Sequence, residues 1–309
     1  MNPLRIAIAA AWTAALLGLT ACATTPKPAA WTTDETLARH AAAAQRSLSD
    51  GNLDAAAAQY TQALHRARAL DDAESVAVMS YNLAACAYQS GDFPATRLRI
   101  TEARATAPGF STLALRLLEA RVALAEGRAD AAAALLAAEE DGATPMTRDE
   151  RAVKSLLLAA IDLDRGQSAA AAQHLESARG ALAKSPPALR AEAEEVQSRL
   201  AAGAKNFTEA AAAMERAAAL WAKAGRAGPV AEALASAAAL RSDAGEDARA
   251  LELEYRAARA AHATGRDTLA RGLLDCARRR PGAEANPWKP LLDELGAALP
   301  PSPAEKPSP

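Results

Sequence analysis

Six short phrases recur along the chain, at Gly51 (GNLDAA), Gly91 (GDFPAT), Gly127 (GRADAA), Gly166 (GQSAAA), Lys205 (KNFTEA) and Gly245 (GEDARA). Successive copies are separated by 40, 36, 39, 39 and 40 residues. A fixed period in this range specifies repeated supersecondary units, none of which buries its apolar face alone. Each phrase reads as a helix stop followed at once by a helix start. Glycine enters the left-handed region that ends a helix without a Cβ penalty. In the clearest copies the next residue is Asn52, Asp92 or Asn206, whose side chain accepts a hydrogen bond from the new helix's free amides. So short a reversal leaves its two flanking helices antiparallel and in contact.

The residues after each turn carry a second signal. Five positions on stand Ala56, Thr96, Ala132, Ala171, Ala210 and Ala250. Nine on stand Tyr60, Ile100, Leu136, Leu175, Met214 and Glu254, and twelve on stand Ala63, Ala103, Glu139, Ala178, Ala217 and Ala257. Steps of four and three residues stay on one helical face. The stripe is therefore small, large, small, which lets helix axes approach to about 8–10 Å. Glu254 breaks the apolar rule in the sixth copy, unless a one-residue shift brings Tyr255 into its place.

These residues resemble the tetratricopeptide repeat family. The stretch from Leu83 to Pro108 carries Leu83, Ala84, Gly91, Phe93, Ile100, Ala103 and Pro108, with Thr96 in place of an alanine; Ala43, Ala44, Gly51, Leu53, Ala56, Tyr60 and Ala63 repeat the pattern upstream. The likeness extends from Thr33 to Arg280. The family period is about 34 residues, so this chain is a divergent, long-period relative, and the aromatic expected early in the first helix is mostly missing. The resemblance implies an all-α solenoid of about seven antiparallel helix pairs. It also implies that the first helix of each pair lines a concave groove that receives a peptide or a helix. Those helices are expected at 34–49, 73–90, 111–126, 148–165, 187–202, 229–244 and 267–279.

Composition agrees with a helical array. Half of the residues are hydrophobic but only 4% are aromatic, because alanine supplies much of the apolar count. Alanine favours helix and buries little area, so cohesion must be summed over many close helix contacts. No stretch shows the period-two alternation of a strand. With 35 basic and 37 acidic residues, the chain lacks the concentrated positive footprint that nucleic acid requires.

The first 21 residues read as an export leader outside the fold. Arg5 precedes an apolar run from Ile6 to Leu19, too short to span a bilayer as a helix. The sequence Leu19-Thr20-Ala21-Cys22 then resembles a bacterial lipobox, which implies acylation of Cys22 as the new first residue. Several acyl chains anchor a protein firmly where one does not. Ala23, rather than aspartate, next to that cysteine implies the outer membrane. Cleavage after Ala23 by ordinary signal peptidase is the rival reading. Residues 22–32 form a linker, 33–280 the repeats, 281–299 a capping helix and 300–309 a Pro-rich tail expected to be disordered. In the cap, Asn286 and Pro287 are expected to start the helix, Leu291, Leu292, Leu295 and Leu299 to cover the last repeat, and Trp288 to anchor it. Cys86 and Cys276 stand 190 positions apart and are expected to be buried free thiols. The block Arg278-Arg279-Arg280 is expected to offset a helix dipole at its C-terminus.

No motif for covalent chemistry is present, neither a nucleophile elbow nor a phosphate loop nor a zinc-binding HExxH. His40, His65, His174 and His262 are scattered, with no partner at metal-ligand spacing, and Glu139, Glu140, Asp141, Asp162 and Asp164 are expected on solvated faces and at turns. No metal, cofactor or catalytic residue is therefore expected. Tyr81, Tyr88, Gln89 and, from the next repeat, Arg121 are the candidate groove residues. Tyrosine suits recognition because it joins a large apolar face to a polar tip; the competing reading makes both tyrosines wedges between repeats. The function expected from all this is a lipid-anchored periplasmic adaptor that scaffolds other cell-envelope proteins. A carrier enclosing a small or lipidic ligand is the alternative, and an enzyme the least favoured class.

Overall fold

The computed structural model describes residues 34–110, 112–137, 146–280 and 287–300. The leader, Cys22 and its linker, Glu139 to Asp141, Asn286 and the tail beyond Pro300 lie outside the described residues. Regular structure among the described residues is entirely helical: α1 (Glu35–Ser49), α2 (Leu53–Ala69), α3 (Ala73–Gln89), α4 (Phe93–Thr106), α5 (Thr112–Ala125), α6 (Ala129–Ala137), α7 (Arg148–Asp164), α8 (Ser168–Leu182), α9 (Pro187–Gly203), α10 (Phe207–Lys223), α11 (Ala227–Asp243), α12 (Asp247–Ala263), α13 (Asp267–Arg278) and α14 (Lys289–Ala298). They fall into two compact units, 34–193 and 194–300, with the boundary inside α9. Each unit is a run of antiparallel helix hairpins of the tetratricopeptide-like, α-solenoid kind. In the first, each helix from α1 to α6 packs on its successor, as α7 does on α8; in the second the chain of neighbours runs from α10 to α14.

One turn geometry explains the reversals. At Gly51, Gly91, Gly127, Gly166 and Gly245 the backbone is left-handed, with φ between 72° and 77°. The glycine amide donates to the carbonyl three residues back, and the following amide to the carbonyl five residues back. At the first turn these are Gly51 N to Leu48 O at 3.1 Å and Asn52 N to Ser47 O at 2.8 Å. Two orphan carbonyls of the ending helix are thereby satisfied. Asn52, Asp92 and Asn206 cap the next helix as expected, accepting from the amides of Ala55, Ala95 and Glu209. Lys205 holds the same conformation without being glycine, at φ 61°.

The small–large–small stripe is the contact face. Ala56, Thr96, Ala132, Ala171, Ala210 and Ala250 are all fully buried, as are Ala63, Ala103, Ala178, Ala217 and Ala257. The large residues Tyr60, Ile100, Leu136, Leu175 and Met214 are buried between them. Thr96 fits an alanine site because its hydroxyl donates to the Asp92 carbonyl at 2.8 Å, so no polar group is stranded.

Arginine–carboxylate rungs join helices across the turns. In the first unit Arg66 bonds Asp34 at 2.5 Å, Arg104 bonds Glu119 at 2.8 Å and Arg165 bonds Asp130 at 2.6 Å. In the second, Glu215 receives both Arg241 and Arg249, and Arg266 bonds Glu232 at 2.7 Å. Exposed pairs add little stability each; their effect here is to fix register between faces that alanine leaves nearly featureless.

Glu254 occupies the large-residue position of the sixth copy with no shift of register. It is buried, and Arg280 donates to both its oxygens, at 2.8 and 2.6 Å. Arg280 also donates to Ser242 at 2.8 Å and Asp247 at 3.0 Å. Of the basic block, Arg278 stands in the last turn of α13 and Arg279 at its C-cap, as expected, whereas Arg280 turns back into the fold to pair a buried carboxylate. Tyr255 beside it stacks on Trp288 at 5.4 Å, with the Arg259 guanidinium 5.7 Å from the tyrosine ring centre. Trp288 thus anchors α14, although the helix starts at Lys289 rather than Pro287. Leu292 is the buried residue of that helix, while Leu291 is 37% exposed.

Candidate partner-binding face

In the first unit the first helices of successive hairpins touch one another directly: α3 contacts α5, and α5 contacts α7. They form a continuous inner row. Its helices are rich in buried residues because they meet their own hairpin partners and each other. On α3 all but four of 17 residues are buried.

That burial corrects the groove assignment at three of its four residues. Tyr81 and Tyr88 are 5% and 1% exposed. Tyr81 lies against Phe110, ring centres 6.2 Å apart, and Tyr88 against Phe93 at 6.1 Å. Both act as wedges, filling space that the surrounding alanines leave. Arg121 is buried too. Gln89, at the end of α3, is half-buried, with its amide nitrogen out of contact with solvent.

Arg121 has a partner that no local pattern reveals. Its Nη1 lies 3.3 Å from Oε2 of Glu192, 71 residues on, with the two side chains 3% and 1% exposed. The pair joins α5 to the start of α9 and passes over the hairpin α7–α8. The second Glu192 oxygen, Oε1, is buried without a hydrogen-bond partner. Burial pushes the Glu192 carboxyl up to about 7, against the pull of Arg121. Ser80, on α3, likewise has a buried hydroxyl without a partner.

Other polar residues prove structural. Asp162, expected on a solvated face, is buried and bonds His174 Nδ1 at 2.8 Å, tying α7 to α8. His262 Nδ1 meets Asp267 at 2.6 Å and His40 Nδ1 meets Gln59 at 2.8 Å. In the second unit the fully buried Trp221 donates to Glu195 at 2.7 Å. Cys86 is buried, but Cys276 is half-buried rather than buried; both are free thiols. Burial raises the Cys276 thiol, and Arg279 approaches its sulfur at 3.6 Å. Among the described residues no group of three or more His, Cys, Asp or Glu side chains is placed to hold a metal ion, and no helix is long and apolar enough to cross a membrane.

No family model and no curated protein sequence matches the chain. Among solved structures it is similar to a tetratricopeptide repeat protein from Parabacteroides merdae, at 15% identity and a TM-score of 0.41. That match covers 85% of this chain and 98% of the other.

Proposed function

We propose that the chain is a non-catalytic adaptor. In this reading it is held at the periplasmic face of a bacterial outer membrane by lipid on Cys22 and binds other cell-envelope proteins along its inner row of first helices. The observation that supports a binding role is the direct succession α3, α5, α7. Stacked repeats present side by side a surface longer than one hairpin could offer, and arrays of this kind use such surfaces to hold extended partners. The anchor rests on the lipobox-like residues Leu19 to Cys22 alone.

Two experiments test the reading. A photo-crosslinking residue replaces Gln89 on the inner row or the 63% exposed Leu98 on α4, and envelope fractions are irradiated. A discrete adduct from position 89 that is missing from position 98 supports the adaptor; equal or absent labelling at both positions rejects it. Metabolic labelling with an alkyne fatty acid tests the anchor: label on the native chain that is lost in Cys22→Ala supports it, and an unlabelled native chain rejects it.

A further inference from the structure

The Arg121–Glu192 contact is poorly built for a permanent ion pair. An ionised carboxylate accepts hydrogen bonds on both oxygens, yet only Oε2 has a donor, at 3.3 Å. Two charges taken from water are offset only by good geometry and by satisfied remaining lone pairs. A neutral carboxyl avoids that cost.

We propose that Arg121 and Glu192 form a proton-operated clasp, which holds α5 to the start of α9 while Glu192 carries a proton and loosens when the proton leaves. Charged groups on the nearby elements are engaged elsewhere. Glu119 on α5 pairs with Arg104, Asp162 on α7 with His174, and Glu176 on α8 with Arg179; Glu194 on α9 pairs with Arg216 and Glu195 accepts from Trp221. On α7, Asp149 accepts from Ser185, Glu150 from the Thr147 amide, and Arg151 donates to the Met146 carbonyl. Arg116 on α5, Arg148, Lys154 and Asp164 on α7, and Arg190 and Arg199 on α9 are the other charged groups of these helices. The pull that opposes burial at Glu192 comes from Arg121. The sign follows from linkage: the closed form holds the proton up to about pH 7, whereas a solvated glutamate releases it near 4.3. Raising the pH between those values therefore favours the opened form. The clasp bypasses one hairpin, so loosening it frees the start of α9 from α5 rather than fraying a single helix.

Hydrogen exchange on the full chain tests this, with rates corrected for intrinsic chemistry. Between pH 5.5 and 8.5, protection over 114–124 and 187–193 falls by about tenfold or more in the native chain. In Glu192→Gln it stays constant. In Arg121→Gln the midpoint moves to higher pH, since the cation that eases ionisation is gone. A native chain whose protection is flat with pH, or a Glu192→Gln variant that keeps the native slope, overturns the proposal.

Discussion

The guanidinium of Arg280 grips both carboxylate oxygens of Glu254, across 26 residues and at distances of 2.8 and 2.6 Å. Glu254 stands where five other copies place an apolar side chain, and its burial raises its pKa even with Arg280 beside it. Removing one member of a buried pair strands the other, at a cost of about 3–5 kcal/mol. Arg280→Ala should therefore loosen α12 and α13 in a chemical-denaturation series. The double variant Glu254→Met/Arg280→Met should recover most of that loss by restoring the apolar stripe; if it is no better than Arg280→Ala, the pairing argument is wrong.

Acid should release the first hairpin early. Asp34 is held at about 2, chiefly by its hydrogen bond from Arg66 and then by the Leu37 amide it caps. A depressed carboxylate stabilises the fold above its unfolded value and ceases to do so as pH falls through the folded one. Helical signal from α1 should decline as pH falls from about 4 to 2. Asp34→Asn, which still caps, should abolish that acid step in residue-resolved NMR.

At Lys205 the fifth turn carries a left-handed non-glycine residue, φ 61°. Relief of that strain by Lys205→Gly should raise stability by about 1 kcal/mol. Gly91→Ala should do the reverse by a similar amount, although a Cβ there meets no atom within 4 Å. Opposite shifts in thermal midpoint are the expected readout; equal shifts would contradict a backbone origin.

Close approach at the small positions sets a steric limit. Ala210 is fully buried on the contact stripe of α10, so Ala210→Leu should destabilise by about 1–3 kcal/mol through overpacking. Tyr88→Ala should cost about 3–5 kcal/mol by leaving a cavity against Phe93. Denaturant midpoints decide both; a neutral Tyr88→Ala would return that residue to the candidate binding surface.

Period and turn chemistry made the hairpins legible in the sequence, because a left-handed glycine followed by a capping side chain is a local device. The turns between hairpins use the same device at Gly225 and Gly265, with φ of 70° and 72°, and at Asp71. These turns share the left-handed backbone but not the side-chain cap at Arg226 and Arg266, and they fall between the near-forty-residue copies that set the visible period. Arg121–Glu192 and Arg280–Glu254 were not legible: each depends on which helices become neighbours, and a side chain's spacing in sequence says nothing of that. Sequence leaves the tyrosines open between groove and wedge for a related reason. Seven-residue spacing identifies a shared stripe, but not whether the facing helix is far enough away to leave it open.

The tie between Arg121 and Glu192 also limits how this protein can change length. Helix pairs that touch only their immediate neighbours can be duplicated or excised like beads on a string. Here the excision of α7 and α8, or the insertion of another pair between α5 and α9, would separate an acid from its base and strand both inside the protein. That portion of the array must be inherited whole.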